Sequence, residues 1–410
     1  MWTALLDAML DRQFRRGTLI VHFPDGRQSR YGDGTGPAVT VYLTTPELVP
    51  RIVKNPELAV GEGYTDGTLK VEDDDLRGFI GLAIRNIGPS GGLWWQRWLD
   101  GARRLVRAWN QFNPARRAQA NVAHHYDLSA ALYELFLDAD KQYSCAYFTR
   151  PDLSLDDAQA AKKAHIAGKL LLEPGMSVLD IGCGWGGMAL TLASDYGARV
   201  TGITLSAEQH KIATQRAEEA GLAGQVEFRL ADYRSVREKF DRIVSVGMFE
   251  HVGIPHYRTY FRTVGERLTP EGIALIHTIG RIAPPDQTSP WIEKYIFPGG
   301  YVPSLSEMAA AFEKERLYQT DIEVWRLHYA ETLLHWQRRF EANLDAAREL
   351  YDERFCRMWR YYLAASEMTF RYGRQAVFQV QLAHDQRAVP LTREYLYPLR
   401  SEGAVRHAAE

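Results

Sequence analysis

The stretch "VLDIGCGWGG", Val178 to Gly187, decides how the chain is read. An apolar run of strand type, Val178 to Ile181, stops at a glycine cluster, and a helix is expected from about Gly187 to Tyr196. Gly182, Gly184 and Gly187 satisfy the G-x-G-x-x-G spacing that lets a backbone approach a dinucleotide pyrophosphate at a helix amino terminus. Two features oppose a phosphate. Asp180 stands two residues before the first glycine, where its charge would repel one. The acid that dinucleotide folds place on the ribose, about 20 residues past the first glycine, is missing: that position falls in "VTGITLS", and no acid follows before Glu208.

A ligand of opposite charge removes both conflicts. S-adenosylmethionine has an ammonium and a sulfonium and no phosphate. Asp180 favours those cations, and the glycines admit the methionine portion close to the backbone.

Outward from the turn, apolar strands alternate with amphipathic helices. After "MSVLDIG" come "RVTGITL", "QVEFRLAD", "FDRIVSVGMF" and "GIALIHTIG". Helices are expected between them at about Ala207–Ala220 and His256–Leu268. This alternation predicts an α/β fold, a mostly parallel sheet with helices on both faces. The last third, from about Ser304 to Phe370, reads as mostly helical. Residues 1–88, with "GTLIVHF" and "AVTVYL" between turn clusters, read as a small α+β domain. Residues 89–118 form a linker with Trp94, Trp95, Trp98 and Trp109 among six arginines and one acid, Asp100. Indole and guanidinium side by side suit an interfacial helix, though an ordinary linker docked on its neighbour has the same composition. The main domain is expected over 119–390, and 391–410 as a tail.

Composition sets the outer limits. The 410 residues carry a net charge of −2, so no global field argues for nucleic acid. Three cysteines, Cys145, Cys183 and Cys356, lack metal-ligand spacing and read as reduced thiols, with no metal expected. The amino terminus, with acids among its apolar residues, is not a signal peptide. No apolar run approaches the roughly 20 residues that span a bilayer. These features predict a soluble cytoplasmic protein.

Six segments, "QYSCAYF", "VLDIGCGWGG", "SVGMFEHVG", "IHTIG", "KYIFPGGYVPS" and "HYAETL", occur in that order. Over roughly residues 120–385 the chain resembles the cyclopropane-fatty-acyl-phospholipid synthases and the related mycolic-acid methyltransferases. The first hundred residues look like the small lipid-handling domain of the phospholipid-acting branch. The resemblance implies a class I S-adenosylmethionine-dependent methyltransferase fold, Rossmann-like with seven strands, and a helical acyl-binding extension. It also implies unsaturated phospholipids as substrates, peripheral association with the inner face of the membrane, and a homodimer.

The chemistry it implies joins the methyl group of S-adenosylmethionine to a cis double bond. Attack by a weakly nucleophilic alkene leaves a carbocation, which must lose a proton for the ring to close. Such a site needs a dry apolar slot, aromatic faces and a base. By resemblance the base is bicarbonate, held by Cys145, Glu250, His277, Ile279 and Tyr329, with Cys145 and Ile279 contributing backbone groups. An ionised Glu250 would repel that anion. It must accept the anion's proton, be protonated itself, or orient the other donors. His277 and Glu250 follow apolar strands, at the carboxyl ends where open sheets hold ligands; Cys145 alone would read as a small buried residue.

The resemblance assigns the cofactor contacts to Tyr143 and Ser144 at the methionine end and to Asp180, Gly182, Gly184 and Gly186 at the turn. Thr204, Leu205 and Gln209 fall to the ribose, and Asp232 and Tyr233 to the adenine. "HHYDLS", His124 to Ser129, is expected in a lid. Two alternatives stay open: a product with a methyl branch in place of the ring, and a lipid-binding module without turnover.

Overall fold

The computed structural model describes residues 1–86 and 130–397. The Trp/Arg-rich stretch, the lid expected at His124–Ser129 and the last thirteen residues lie outside the described residues.

Seven strands form the main sheet: β5 (Ser177–Ile181), β6 (Arg199–Thr204), β7 (Val226–Leu230), β8 (Phe240–Val246), β9 (Leu268–Arg281), β10 (Tyr318–Trp325) and β11 (Gln375–Ala383). Their spatial order is β10-β11-β9-β8-β5-β6-β7. From β9 to β7 all neighbours run parallel, and β11 enters antiparallel between β9 and β10. The strand order therefore reverses at β5, the switch point where open sheets form a ligand crevice. Buried Val178, Leu179, Ile203, Ile243 and Ile276 give the sheet its apolar interior.

Helices fall close to the expected positions. Gly187–Tyr196 follows β5, Ala207–Glu219 follows β6 and Tyr257–Arg267 precedes β9. Local chemistry starts them: the Ser206 hydroxyl accepts from Gln209 N, and the Ser154 hydroxyl accepts from Asp157 N at the head of Leu155–Lys169.

The last third is less helical than its composition suggests, because β10 lies within it. Its sequence, "YQTDIEVW", alternates Ile322 and Val324 with Asp321 and Glu323, but Val324 is exposed and the acids take the inner face. Asp321 and Glu323, two apart and so on one face, turn to the fully buried Lys169 at 3.1 and 2.5 Å. Charge pairing thus replaces hydrophobic burial at that sheet edge.

The first 86 residues form a second sheet, β1 (Thr18–His22), β2 (Gln28–Tyr31), β3 (Ala38–Leu43) and β4 (Leu69–Val71), in the order β2-β1-β3-β4 with four helices. It docks on the long helix Glu353–Tyr372. Arg77 grips the fully buried Glu367 through two hydrogen bonds of 2.6 and 2.7 Å. Glu62 receives Lys294 at 2.6 Å and the Tyr295 hydroxyl at 2.9 Å. Gly61 lies so close to Trp291 that a Cβ there would stand 2.4 Å from its ring. No helix among the described residues is long and apolar enough to cross a membrane.

Candidate active site

A cavity opens over the carboxyl ends of β5 and β6. Tyr143, Ser144, Asp180, Gly182, Gly184, Thr204, Leu205, Gln209, Asp232 and Tyr233 all line it. Gly186 stands behind the turn. Its φ is +86°, and a Cβ there would meet the Phe228 ring at 2.6 Å, so it shapes the turn by close packing. Gly187 opens the helix beneath, where a Cβ would lie 2.4 Å from Asp140 and Gln142.

Charge is distributed as a cationic ligand requires. Asp180 is buried, and its Oδ2 has no hydrogen-bond partner among the described residues. Burial raises its carboxyl to about 7, against an opposing pull from Lys162. At the next strand the Thr204 hydroxyl donates to Gln209 Oε1 at 2.9 Å, so both polar groups face the cavity already oriented. Burial works to raise the Asp232 carboxyl, but a two-bond clasp by Arg234 at 2.7 and 2.6 Å holds it below its usual range.

Tyr143 and Trp185 give the cavity an aromatic lining. Tyr143 stacks on Trp336 at 5.1 Å, its hydroxyl lies 2.8 Å from that of Tyr362, and burial holds its phenol well above the usual range. Trp185, inside the glycine turn, packs on Tyr133 at 4.9 Å.

None of Cys145, Glu250, His277, Ile279 and Tyr329 lines this cavity. Cys145 follows Ser144, and Glu250 precedes His251, which lines the cavity and which burial lowers to about 4. Glu250 Oε1 accepts from Ile279 N at 2.6 Å, while Oε2 is buried without a hydrogen-bond partner among the described residues. Burial lifts that carboxyl to about 7, and the backbone N–H groups of Glu250 and Ile279 and the Thr278 hydroxyl oppose the rise. His277 is buried and neutral, since burial and then the Lys162 and Lys169 charges lower it. Gln379 Nε2 lies 3.1 Å from its Nδ1; an amide donating there leaves the ring proton on Nε2. Burial raises the Cys145 thiol far above its ordinary value. Ala146 N donates to Thr332 Oγ1 at 3.0 Å, one helical turn beyond Tyr329, which ties the cysteine segment to that helix. Glu250 and Ile279 thus touch directly, while Cys145 and Tyr329 are joined through Thr332.

Two polar residues behind the lining escaped the sequence reading. Gln159 and Lys162 hold the Gln142–Ser144 segment from the helix Leu155–Lys169. Among the described residues no group of three His, Cys, Asp or Glu side chains could hold a metal.

The switch-point cavity, its acid-preceded glycine turn and the antiparallel β11 define a class I S-adenosylmethionine-dependent methyltransferase. Comparison with known proteins narrows the class. Residues 113–380 match the family described as mycolic acid cyclopropane synthetase, and residues 5–88 match a domain of unknown function. The chain is 41% identical over 350 residues to the cyclopropane-fatty-acyl-phospholipid synthase of Escherichia coli K12, covering 85% of this chain and 88% of that protein. It is 36% identical over 391 residues to a "Probable fatty acid methyltransferase" of Pseudomonas putida, covering 91% and 94%. A solved mycolic acid cyclopropane synthase, CmaA1 complexed with SAH and CTAB, superposes with a TM-score of 0.62 at 34% identity, covering 66% of this chain and 99% of that one. The chain belongs to the mycolic acid cyclopropane synthetase family.

Proposed function

We propose that the protein converts cis-unsaturated acyl chains of membrane phospholipids into cyclopropane chains. The likeness to the E. coli synthase along most of the chain carries this reading. S-adenosylmethionine, when bound, supplies a methyl group activated on a sulfonium. The buried, unpartnered Oδ2 of Asp180 fits that cationic group, and Tyr143, Ser144, the glycine turn, Thr204, Leu205, Gln209, Asp232 and Tyr233 hold its remainder.

Cys145, Glu250, His277, Ile279 and Tyr329 hold bicarbonate, which supplies a base where bulk water is excluded. Protonation of Glu250 suits this role best. With its carboxyl near 7 through burial, it keeps a proton on Oε2 to offer an anion, while Oε1 stays on Ile279 N. Neutral His277 offers Nε2–H. The aromatic faces of Tyr143, Trp185 and Trp336 exclude water and tolerate positive charge. Residues 1–88 handle the lipid, and the Trp/Arg-rich stretch seats a homodimer on the inner membrane face.

Mass spectrometry and proton NMR of acyl chains extracted after reaction with phospholipid vesicles test the reaction. A gain of one methylene with loss of the alkene signal means cyclopropane. The same gain with the alkene retained means a methyl branch, a second reading that the likeness to the P. putida protein favours. No transfer leaves a lipid-binding module. Carbonate-free buffer should slow the enzyme and added bicarbonate restore it, and His277→Ala should lower turnover far more than cofactor affinity. If bicarbonate removal leaves the rate untouched while Glu250→Gln abolishes it, Glu250 is itself the base.

A further inference from the structure

The helix Leu155–Lys169 presents Gln159 and Lys162, three residues apart and so on one face, to the back of the cavity wall. Gln159 Nε2 donates to the carbonyls of Gln142 and Ser144 at 3.1 and 2.9 Å. Lys162 Nζ donates to Gln142 Oε1 at 2.6 Å and Ser144 Oγ at 2.8 Å. One residue grips the backbone of the segment and the other its side chains.

Lys162 is fully buried, as is Lys169 seven residues on. The two differ in their partners. Lys169 lies against the carboxylates of Asp321 and Glu323, whereas both hydrogen-bond acceptors of Lys162 are neutral. An ammonium removed from water among neutral acceptors is costly unless a negative charge comes to it.

The titratable groups that face it are Asp138, Asp140 and Cys145 on the segment before its helix, Lys163 beside it, Asp180 on β5 and His277 on β9. Asp140 is engaged by Lys163 and Arg216. Asp138 accepts the backbone N–H groups of Gln142 and Asp140, and burial raises its carboxyl. Asp180 faces the cation seat. Acids therefore compensate Lys162 only in part, and no carboxylate hydrogen-bonds to it on the side of Cys145 and His277.

We propose that Lys162 is the fixed countercharge of the oxyanion base: a positioning residue that fixes Ser144 from behind and supplies the positive potential that draws bicarbonate to the Cys145–His277 side of the site. The inference rests on the bicarbonate reading above. Burial, only partly offset by Asp138 and Asp140, lowers the ammonium to about 8, so it is charged at neutral pH and loses its charge in an accessible range.

The test measures turnover of vesicles of cis-monounsaturated phosphatidylglycerol by the full-length protein against bicarbonate concentration. Cofactor affinity is taken by calorimetry. Lys162→Met removes charge and donors, Lys162→Gln keeps a donor without charge, and Lys162→Arg keeps both. Half-saturating bicarbonate should rise roughly tenfold or more in the Met and Gln variants and recover in the Arg variant, a larger loss than any fall in cofactor affinity transmitted through Ser144. In the wild type it should climb as pH rises through about 8, above the range where Asp180 and Glu250 ionise, and that climb should vanish in the neutral variants. Unchanged bicarbonate saturation, or a loss of cofactor affinity equal to or larger than the loss for bicarbonate, overturns the proposal. Should the neutral variants fail to fold, a flat wild-type curve through about pH 8 overturns it alone. A wild type indifferent to bicarbonate at every pH instead fails the underlying reading, a separate outcome.

Discussion

Lowering the pH should weaken S-adenosylmethionine binding by an amount that Asp180 fixes. With burial holding its carboxyl at about 7, the side chain of the ligand-free protein is protonated below that pH and offers no charge to a cation. Binding must then expel the proton. If the bound complex holds the carboxylate ionised, the apparent Kd is multiplied by 1 + 10^(7−pH): about 11 at pH 6, about 2 at pH 7 and about 1.1 at pH 8. The sign follows from a free-state pKa raised by burial and then lowered by the bound cation, so affinity is gained as pH rises through 7. Calorimetric titration in two buffers of different ionisation enthalpy reads both quantities. Close to one proton should be released per ligand at pH 6 and about 0.1 at pH 8. Asp180→Asn should flatten the profile and cost about 1–3 kcal/mol at pH 8. A wild-type affinity independent of pH between 6 and 8, or an Asn variant with the same slope, refutes the electrostatic role of Asp180.

Gly61→Ala would bring a Cβ to 2.4 Å from Trp291, so it should cost about 1–3 kcal/mol by overpacking, read as a lower Tm. Glu367→Gln removes a fully buried carboxylate shared by Arg77 and Arg371; a loss of about 3 kcal/mol is expected in denaturant unfolding. Gln substitution of Arg103, Arg104 and Arg107 should weaken vesicle co-sedimentation and its salt dependence while leaving cofactor affinity unchanged. Equal sedimentation at low and high salt would make the segment a plain linker.

The cofactor side of the site was legible because its chemistry is local. Asp180, the glycines and the start of the following helix fall within ten residues, where charge and turn geometry can be argued without tertiary information. Thr204 and Asp232 came from the family resemblance, and the strand ends that carry them share one edge of the parallel sheet. Tyr329 was not legible: nothing within "HYAETL" marks a tyrosine for a role, and only the family resemblance pointed to it. Lys162 was invisible for another reason. In "AQAAKKAHIAGK" a lysine reads as solvated, and its burial is decided by Gln142 and Ser144, which approach from outside its helix. β10 was missed because paired charges hide the apolar alternation that betrays a strand.

The placement of β11 sets an order of assembly. His277 on β9 receives its Nδ1 neighbour from Gln379, 102 residues further along the chain. Until β11 is made, β9 and β10 both present unpaired backbone edges, and the surface behind His277 faces solvent. A nascent chain on the ribosome can form the glycine turn and its neighbouring strands long before the imidazole is enclosed. A chain ending before Gln375 would carry a nearly finished cofactor cavity beside two open strand edges, the combination that favours aggregation over a partially active fragment. Harmful nonsense or frameshift alleles should therefore extend almost to the carboxyl end of the gene, and their products should be cleared by proteolysis instead of accumulating as soluble cofactor binders.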